Sequence, residues 1–176
     1  HPMRLSAYMM GMLLGDGTLG TPGRVAVSTI DPEILESIRS LADLYSLSAK
    51  FDGRCTWHIR GSRSGNNRNG LVDDLRELGL DGIACDRRFI PERFKLGSRT
   101  ERLEVLAGLL DTDGALSGGG FDFGTKGRTL AEDVAFVARS LGFAAYISVR
   151  GNGHHRVSVS GNCSEIPTRI KRKRAL

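Results

Sequence analysis

Apolar residues run almost unbroken through "LSAYMMGMLLG", so residues 4 to 15 read as a buried helix, stopped by Gly17. "RVAVSTI" (24 to 30) alternates and is rich in β-branched residues, which predicts a strand. "DPEILESIRSLADLY" (31 to 45) has an Asp cap, a proline at the first helical position and apolar residues at 34, 35, 38, 41 and 44. That is the stripe of an amphipathic helix. "LSAKFD" (47 to 52) and "CTWHIRG" (55 to 61), joined by a turn at "DG", predict a hairpin. "GSRSGNNRNG" (61 to 70) reads as a loop, "LVDDLRELGL" (71 to 80) as a short helix and "DGIACDRRFIPERFKLGS" (81 to 98) as irregular chain.

The same order then returns. "RTERLEVLAGLLD" (99 to 111) is a helix and "FDFGTK" (121 to 126) a short strand. "TLAEDVAFVARSLGF" (129 to 143) is a second amphipathic helix, and "AAYISVR" and "HHRVSVSG" form a hairpin around "GNG". The repeat is visible in the spacing: Asp16 and Asp113 lie 97 apart, "RSL" at 39 to 41 recurs at 139 to 141, and Gly61 and Gly161 are 100 apart. Two copies of helix–strand–helix–hairpin predict a fused pseudo-dimer. The expected fold is α+β, with two pseudo-symmetric αββαββ-like halves over residues 1–90 and 91–176.

Composition narrows the class. A chain of 176 residues at 40% hydrophobic is long enough for one core or two intimately packed halves. Lys and Arg outnumber Asp and Glu by 25 to 20, and a basic balance favours an anionic partner, most often nucleic acid. Cys55, Cys85 and Cys163 are too widely spaced for a zinc site or disulfide framework, so a reducing compartment is expected. No apolar run approaches the roughly 18 residues of a membrane helix. "HPMRLSAYMMGMLLG" lacks the pattern of a signal peptide, which points to the cytoplasm of a prokaryote, or to a phage-encoded protein.

Candidate chemistry sits where the two most apolar helices end. Gly11 and Gly15 give the first a small face, and Ala107 and Gly108 do so for the second, so the bland reading is core packing with C-cap glycines. The acids change that. A helix C-terminus already carries partial negative charge, yet Asp16 and Asp113 sit there in both halves. If the helices cross at their small residues, the two carboxylates meet near the pseudo-twofold axis, where like charges are costly without a cation. Oxygen donors imply a hard ion such as Mg²⁺, and paired carboxylates beside a basic surface suggest phosphodiester hydrolysis.

"LAGLLDTDG" (106 to 114) closely resembles the nonapeptide that names the LAGLIDADG homing endonucleases, and "MMGMLLGDG" (9 to 17) resembles a looser first copy. "RRFIPERF", "LAEDVAFVARSLGF" and "RVSVSGN" with "IPTRIKRKRA" look like the endonuclease region of inteins, without a Cys or Ser start or a terminal His-Asn. The resemblance implies that Asp16 and Asp113 bind the catalytic metals, helped by the carbonyls of Gly15 and Thr112. The counterpart of Asp111 in the first copy is Leu14, so that position need not be acidic for chemistry and Asp111 is expected to be structural. Intein endonucleases commonly place a Lys three residues before the proline of an "IP" element; here that position is Arg88. A guanidinium is a poor base, so Arg88 is expected to act electrostatically. Lys171 or Lys173 is its partner in the second half, and Lys126 is a further candidate. "RIKRKR" also reads as a plain phosphate-binding tail.

The resemblance further implies a saddle of strands on DNA with helices behind. Strand alternation then assigns a groove-facing set: Arg24, Ser28, Ser48, Lys50, Thr56, His58 and Arg60 in the first half. In the second half it assigns Asp122, Lys126, Tyr146, Ser148, Arg150, His154, Arg156 and Ser158, with Arg63 and Arg68 reaching flanking phosphates from the loop. The expected activity is Mg²⁺-dependent cleavage of both strands of a long, asymmetric double-stranded site by a monomer with internal pseudo-twofold symmetry and no membrane association. The rival expectations are a relative that binds without cutting, as a transcription regulator or RNA maturase, and a protein-interaction domain that is basic by accident.

Overall fold

The structure, a computed structural model, describes residues 3–61 and 69–176. Its first half runs α1 (Ala7–Asp16), β1 (Gly17–Thr18), β2 (Val25–Ser28), α2 (Pro32–Leu44), β3 (Ser48–Phe51) and β4 (Thr56–Arg60). After α3 (Gly70–Glu77) and the short α4 (Glu92–Lys95) the order repeats. The second half runs α5 (Arg99–Asp113), β5 (Gly114–Ser117), β6 (Gly120–Thr125), α6 (Arg128–Ser140), β7 (Ala144–Val149) and β8 (His155–Ser160). The strands form two antiparallel four-stranded sheets, ordered β1-β2-β4-β3 and β5-β6-β8-β7. The α+β fold of two αββαββ halves is therefore present. Strand alternation misses β1 and β5, which start directly at the end of a helix and are too short and glycine-rich to show a period. The stretch read as irregular holds a 3₁₀ turn at Cys85–Arg87 and α4.

The core centres on α1 and α5, which pack directly on each other. Their contact is backbone to backbone. A methyl on Gly11 would collide with the Val105 carbonyl and lie 2.9 Å from the Leu109 amide. One on Gly108 would collide with the Tyr8 carbonyl and lie 2.7 Å from the Met12 amide. The side chains around this crossing, Met10, Met12, Leu13, Leu106, Leu109 and Leu110, are sealed from solvent. Helices α2 and α6 cover the inner faces of the two sheets with Ile34, Ile38 and Leu41, and with Leu130, Val134 and Val137.

Both central helices start on a side-chain cap. Ser6 accepts from the Met9 amide, and Ser98 with Glu101 forms a capping box. Both end without a left-handed turn. Gly17 and Gly114 are extended (φ −69° and −92°) and hydrogen-bond back to the Leu13 and Leu110 carbonyls. Glycine is needed there for room, since a Cβ would lie 2.9 Å from the carbonyl carbon of Leu13 or 2.6 Å from the Leu110 oxygen. Both glycines are the C-caps expected, in extended rather than left-handed conformation. The extended exit sends the chain from each aspartate straight into an edge strand. Among the described residues, no helix is long and apolar enough to cross a membrane.

Replacing Gly108 with alanine should lower stability by about 2–3 kcal/mol in urea unfolding, since two rigid backbones must separate to admit one methyl. The same change at Gly124, where a Cβ meets open space, should cost under about 1 kcal/mol.

Candidate functional site

Because α1 and α5 cross so closely, Asp16 and Asp113 stand at neighbouring helix ends, near enough for each carboxyl to act on the other's ionisation. Burial, then the neighbouring charge of Asp113, pushes the Asp16 carboxyl up to about 6. Burial raises Asp113 as well. The pair behaves as a single site reluctant to carry two negative charges. Arg88 and Lys173 act against that rise at both carboxylates.

Those two cations occupy matching places. The Arg88 guanidinium is buried and donates to the carbonyls of Leu14 (2.8 Å), Gly15 (3.0 Å) and Gly17, the last turn of α1. Lys173 Nζ donates to the carbonyls of Leu110 (3.1 Å) and Asp111 at the end of α5. Each cation thus offsets the negative helix terminus that its aspartate aggravates. The expectation for Arg88 narrows accordingly: its donors serve the backbone, including the Gly15 carbonyl, and its Nε is buried without a partner. Of the two tail lysines, the structure brings Lys173 to the pair. Lys171 lines a separate groove with Glu33, Glu36 and Ser37.

The segments carrying these cations are straps that cross between halves. The first strap is held on α6, where Asp133 accepts from the Ile90 amide and from Lys95 Nζ, both at 2.9 Å. The second strap, 168 to 174, lies against α2. There Arg169 donates to Ser37 Oγ at 2.8 Å, and Arg172 is paired through both its terminal nitrogens with Asp31. Asp111 anchors this strap, accepting from the Arg169 and Ile170 amides and from the Tyr8 hydroxyl at 2.7 Å. It is 1% exposed, which places it in the structural role expected. The tail read as a plain phosphate binder therefore spends Arg169, Arg172 and Lys173 on internal contacts.

Beside the pair opens a pocket of 370 Å³ lined by Gly15, Cys85, Arg88, Asp113, Lys126 and His154. Thr112, whose hydroxyl donates to the Gly108 carbonyl at 2.8 Å, keeps its side chain within its own helix.

The groove-facing set can be checked through the strand register. Thr18, Ala26, His58 and Lys50 form one cross-strand row, and Val27, Trp57 and Phe51 form the next on the opposite face, with Val27 buried and Phe51 half exposed at the sheet edge. Ser28 pairs with Thr56, their hydroxyls 3.0 Å apart, and Ser48 pairs with Arg60. In the second sheet Ala115, Asp122, Ser158 and Tyr146 form the matching row, followed by Gly124, Arg156 and Ser148. All these predicted residues share the face turned away from α2 and α6. Arg24 lies at the start of the same face and lines a 350 Å³ pocket with His58 and Arg60; Arg150 and His154 line another with Asp122 and Arg156. Thr18 and Ala115 extend the face and were not assigned, since their strands carry no periodic signal. Asp122 does not stand free: it pairs with Arg156 and accepts from Ser158 Oγ at 2.7 Å, which holds its carboxyl below the usual range. Arg63 and Arg68 lie outside the described residues.

The donors at the Asp16–Asp113 pair fit a hard divalent cation. Two adjacent carboxylates whose ionisation is mutually costly, close to the helix-end carbonyls, suit an ion that completes its shell with phosphate oxygens and water. No group of three or more His, Cys, Asp or Glu able to hold a metal occurs among the described residues, so the pair alone supplies no closed cage.

The fold of two αββαββ halves matches the two-domain LAGLIDADG fold of known proteins. Residues 100–165 match the family model of the LAGLIDADG-like domain. The I-DmoI homing endonuclease in complex with DNA and Mn superposes with a TM-score of 0.63 at 18% identity, covering 89% of each chain. The N-terminal LAGLIDADG domain of DUF199/WhiA is similar with a TM-score of 0.55 at 10% identity, over 88% of this chain and 74% of that one. Two curated sequences are similar. The replicative DNA helicase DnaB of Mycobacterium intracellulare is 33% identical over 144 residues, 81% of this chain and 20% of that protein. The homothallic switching endonuclease of Saccharomyces cerevisiae is 28% identical over 170 residues, 82% of this chain and 28% of that protein. The chain thus spans between a fifth and a third of the curated relatives it matches.

A carboxyl whose pKa is raised by folding costs stability once ionised. That stability is fully present below the ordinary 3.8 and is lost as pH climbs through about 6. Asp16→Asn should therefore stabilise the protein at pH 8 in EDTA by about 1–2 kcal/mol, the full shift being discounted for solvent access. In thermal melts the gain should shrink toward zero by pH 4.

Proposed function

We propose that this chain is a site-specific double-strand DNA endonuclease of the homing type, with half-domains over residues 1–90 and 91–176. The observation that carries the reading is the Asp16–Asp113 pair at the joint where two polar, largely basic sheet faces begin. A DNA duplex laid along both faces brings its backbone to the paired carboxylates, while Lys50, His58, Arg60, Tyr146 and Arg156 address the bases. Because the two faces carry different residues, the recognised site is long and asymmetric, and one chain supplies both halves as a monomer.

Asp16 and Asp113 would hold a divalent ion, Mg²⁺ by its preference for carboxylate and phosphate oxygens, with the Thr112 carbonyl and, beside its bond from Arg88, the Gly15 carbonyl. When bound, the ion supplies charge neutralisation at the scissile phosphate and acidifies water. In the reaction an attacking water forms a new P–O bond and gives up a proton to solvent. One ester P–O bond breaks, and the departing sugar oxygen takes up a proton. Arg88 and Lys173 keep the helix ends, and so the aspartates, in place; Lys126 offers positive charge to the phosphate. The likeness to a fifth of a longer helicase supports a nuclease module carried within a host protein, as in an intein.

The likeness to the WhiA domain favours a second reading, a nucleic-acid-binding protein that does not cut. A duplex recovered by binding selection from a randomised library separates the two. On a supercoiled plasmid carrying that duplex, the native protein with Mg²⁺ should produce linear DNA. Asp16→Asn and Asp113→Asn should each lower the rate by about a thousandfold or more, with binding affinity changed less than about fivefold. Gel shifts without any strand cleavage by the native protein would establish the binding reading.

A further inference from the structure

Counting strand pairs from the two helix ends puts the halves in register. Gly17, directly after Asp16, pairs with Val27, and Gly114, directly after Asp113, pairs with Phe123. One residue further on, Ser28 is therefore equivalent to Gly124, and their partners Thr56 and Arg156 are equivalent to each other. In the first sheet this row closes on itself, with the Ser28 and Thr56 hydroxyls 3.0 Å apart. In the second sheet it stays open. Arg156 stands between Gly124 and Ser148, two small residues, and a Cβ on Gly124 would meet nothing within 4 Å.

Arg156 is held in place where other cations of the two faces are not. Its Nη2 donates to Asp122, whose other carboxylate oxygen accepts from Ser158 Oγ at 2.7 Å. Among the described residues, no hydrogen bond or ion pair fixes the side chains of Arg24, Lys50, Arg60 or Arg150. Arg156 Nε is buried without a partner, and Nη1 makes no bond among the described residues, so the outer edge of the guanidinium is free. Arg150, Asn152 and His154 line the same 220 Å³ pocket. Arg156 first, with Ser158 and Arg150 adding to it, holds the Asp122 carboxyl below its usual range. The carboxylate is therefore charged and the Asp122–Arg156 pair neutral, which leaves Arg150 as the uncompensated cation of this pocket.

A neutral pair adds little to the pull on phosphates, which scales with the charge brought to the duplex. A fixed fork of donors suits instead a base edge that offers a pair of acceptors. In a major groove guanine does so through N7 and O6, whereas adenine replaces one acceptor by a donor and neither pyrimidine offers the pair. We propose that Arg156 reads a guanine in the half-site on the second sheet, with Asp122 as its positioning residue. The equivalent base pair of the other half-site faces Ser28 and Thr56 and is met without that preference. The row of Arg156 follows directly on the one that pairs Gly114, so the guanine lies toward the centre of the site. The inference rests on the DNA-binding side of the proposed function.

The test selects duplexes from a randomised library by binding in EDTA and sequences them. Native protein is expected to favour guanine by about tenfold at one inner position of one half-site, with no counterpart in the other. Asp122→Asn combined with Arg156→Met removes the pair without changing the net charge. That double variant should lose the preference at this position alone, with the slope of log affinity against log salt unchanged. Asp122→Asn by itself frees the guanidinium, so the preference should weaken while the slope steepens by about one. Arg150→Met should make the slope shallower by about one and leave the guanine in place. Native sites without that guanine, a double variant that still selects it, or its loss in Arg150→Met would overturn the inference. So would a double variant whose slope becomes shallower by about one with sequence preference intact, since Arg156 would then be a phosphate contact. In each of these cases the endonuclease reading stands if the native protein still cuts a plasmid carrying the recovered duplex. Native protein that recovers no duplex from the library would overturn both.

Discussion

The whole arrangement depends on two helix backbones touching at Gly11 and Gly108. A side chain at either position would collide with a carbonyl of the facing helix, so the crossing can exist only where the side chains vanish. That contact does two things at once. It seals the centre of the core, and it sets the separation of whatever stands at the two C-terminal ends. With aspartates there, the packing that stabilises the protein also forces together two groups that repel. Burial, and after it the charge of Asp113, raises the Asp16 carboxyl, while apolar burial along the crossing holds the two helix ends together.

Such a site needs cations, and the chain supplies them by a reciprocal device. Each half ends in a strap that leans on the amphipathic helix of the other half and returns a basic side chain to its own central helix. Asp133 on α6 fixes the first strap, while Asp31 and Ser37 on α2 fix the second. Asp111 adds a buried anchor with three donors, one of them the Tyr8 hydroxyl across the helix crossing. The halves are therefore bound together by more than the crossing. Asp111, the inner acid of the second helix end, fixes the strap that carries Lys173.

This division explains what could be read from the residues. The fold was legible because the repeat is written in periods: a continuous apolar run for each central helix, a 3.6-residue stripe for α2 and α6, and alternation in β2, β4, β6 and β8. Which residues share a sheet face followed from parity alone, and the register agrees row by row. What escaped detection has no period. Edge strands β1 and β5 are too short to alternate. The glycines after the acids are the C-caps expected, but their close approach to the preceding turn in extended chain leaves no mark in the sequence. Lys171 and Lys173 are indistinguishable by type and differ only in which carbonyls the 3₁₀ turn at Lys171–Lys173 lets them reach. The commitments of Arg172 to Asp31 and of Arg156 to Asp122 join residues 141 and 34 positions apart, beyond any local signal.

Duplication also tells where the molecule is free to differ. Positions tied to the crossing are matched in kind: small residues at the contact, an acid at each helix end, a glycine after it, a cation on the last carbonyls. These are demands of backbone geometry and of charge at a shared axis, so both halves must meet them together. Positions on the sheet faces carry no such demand. Ala26 stands opposite Asp122 in the two rows, His58 opposite Ser158, and Lys50 opposite Tyr146. The asymmetric face and the symmetric axis thus arise from one cause. A homodimer would have to present the same side chains twice, whereas a fused pair keeps the shared axis and lets each sheet face go its own way.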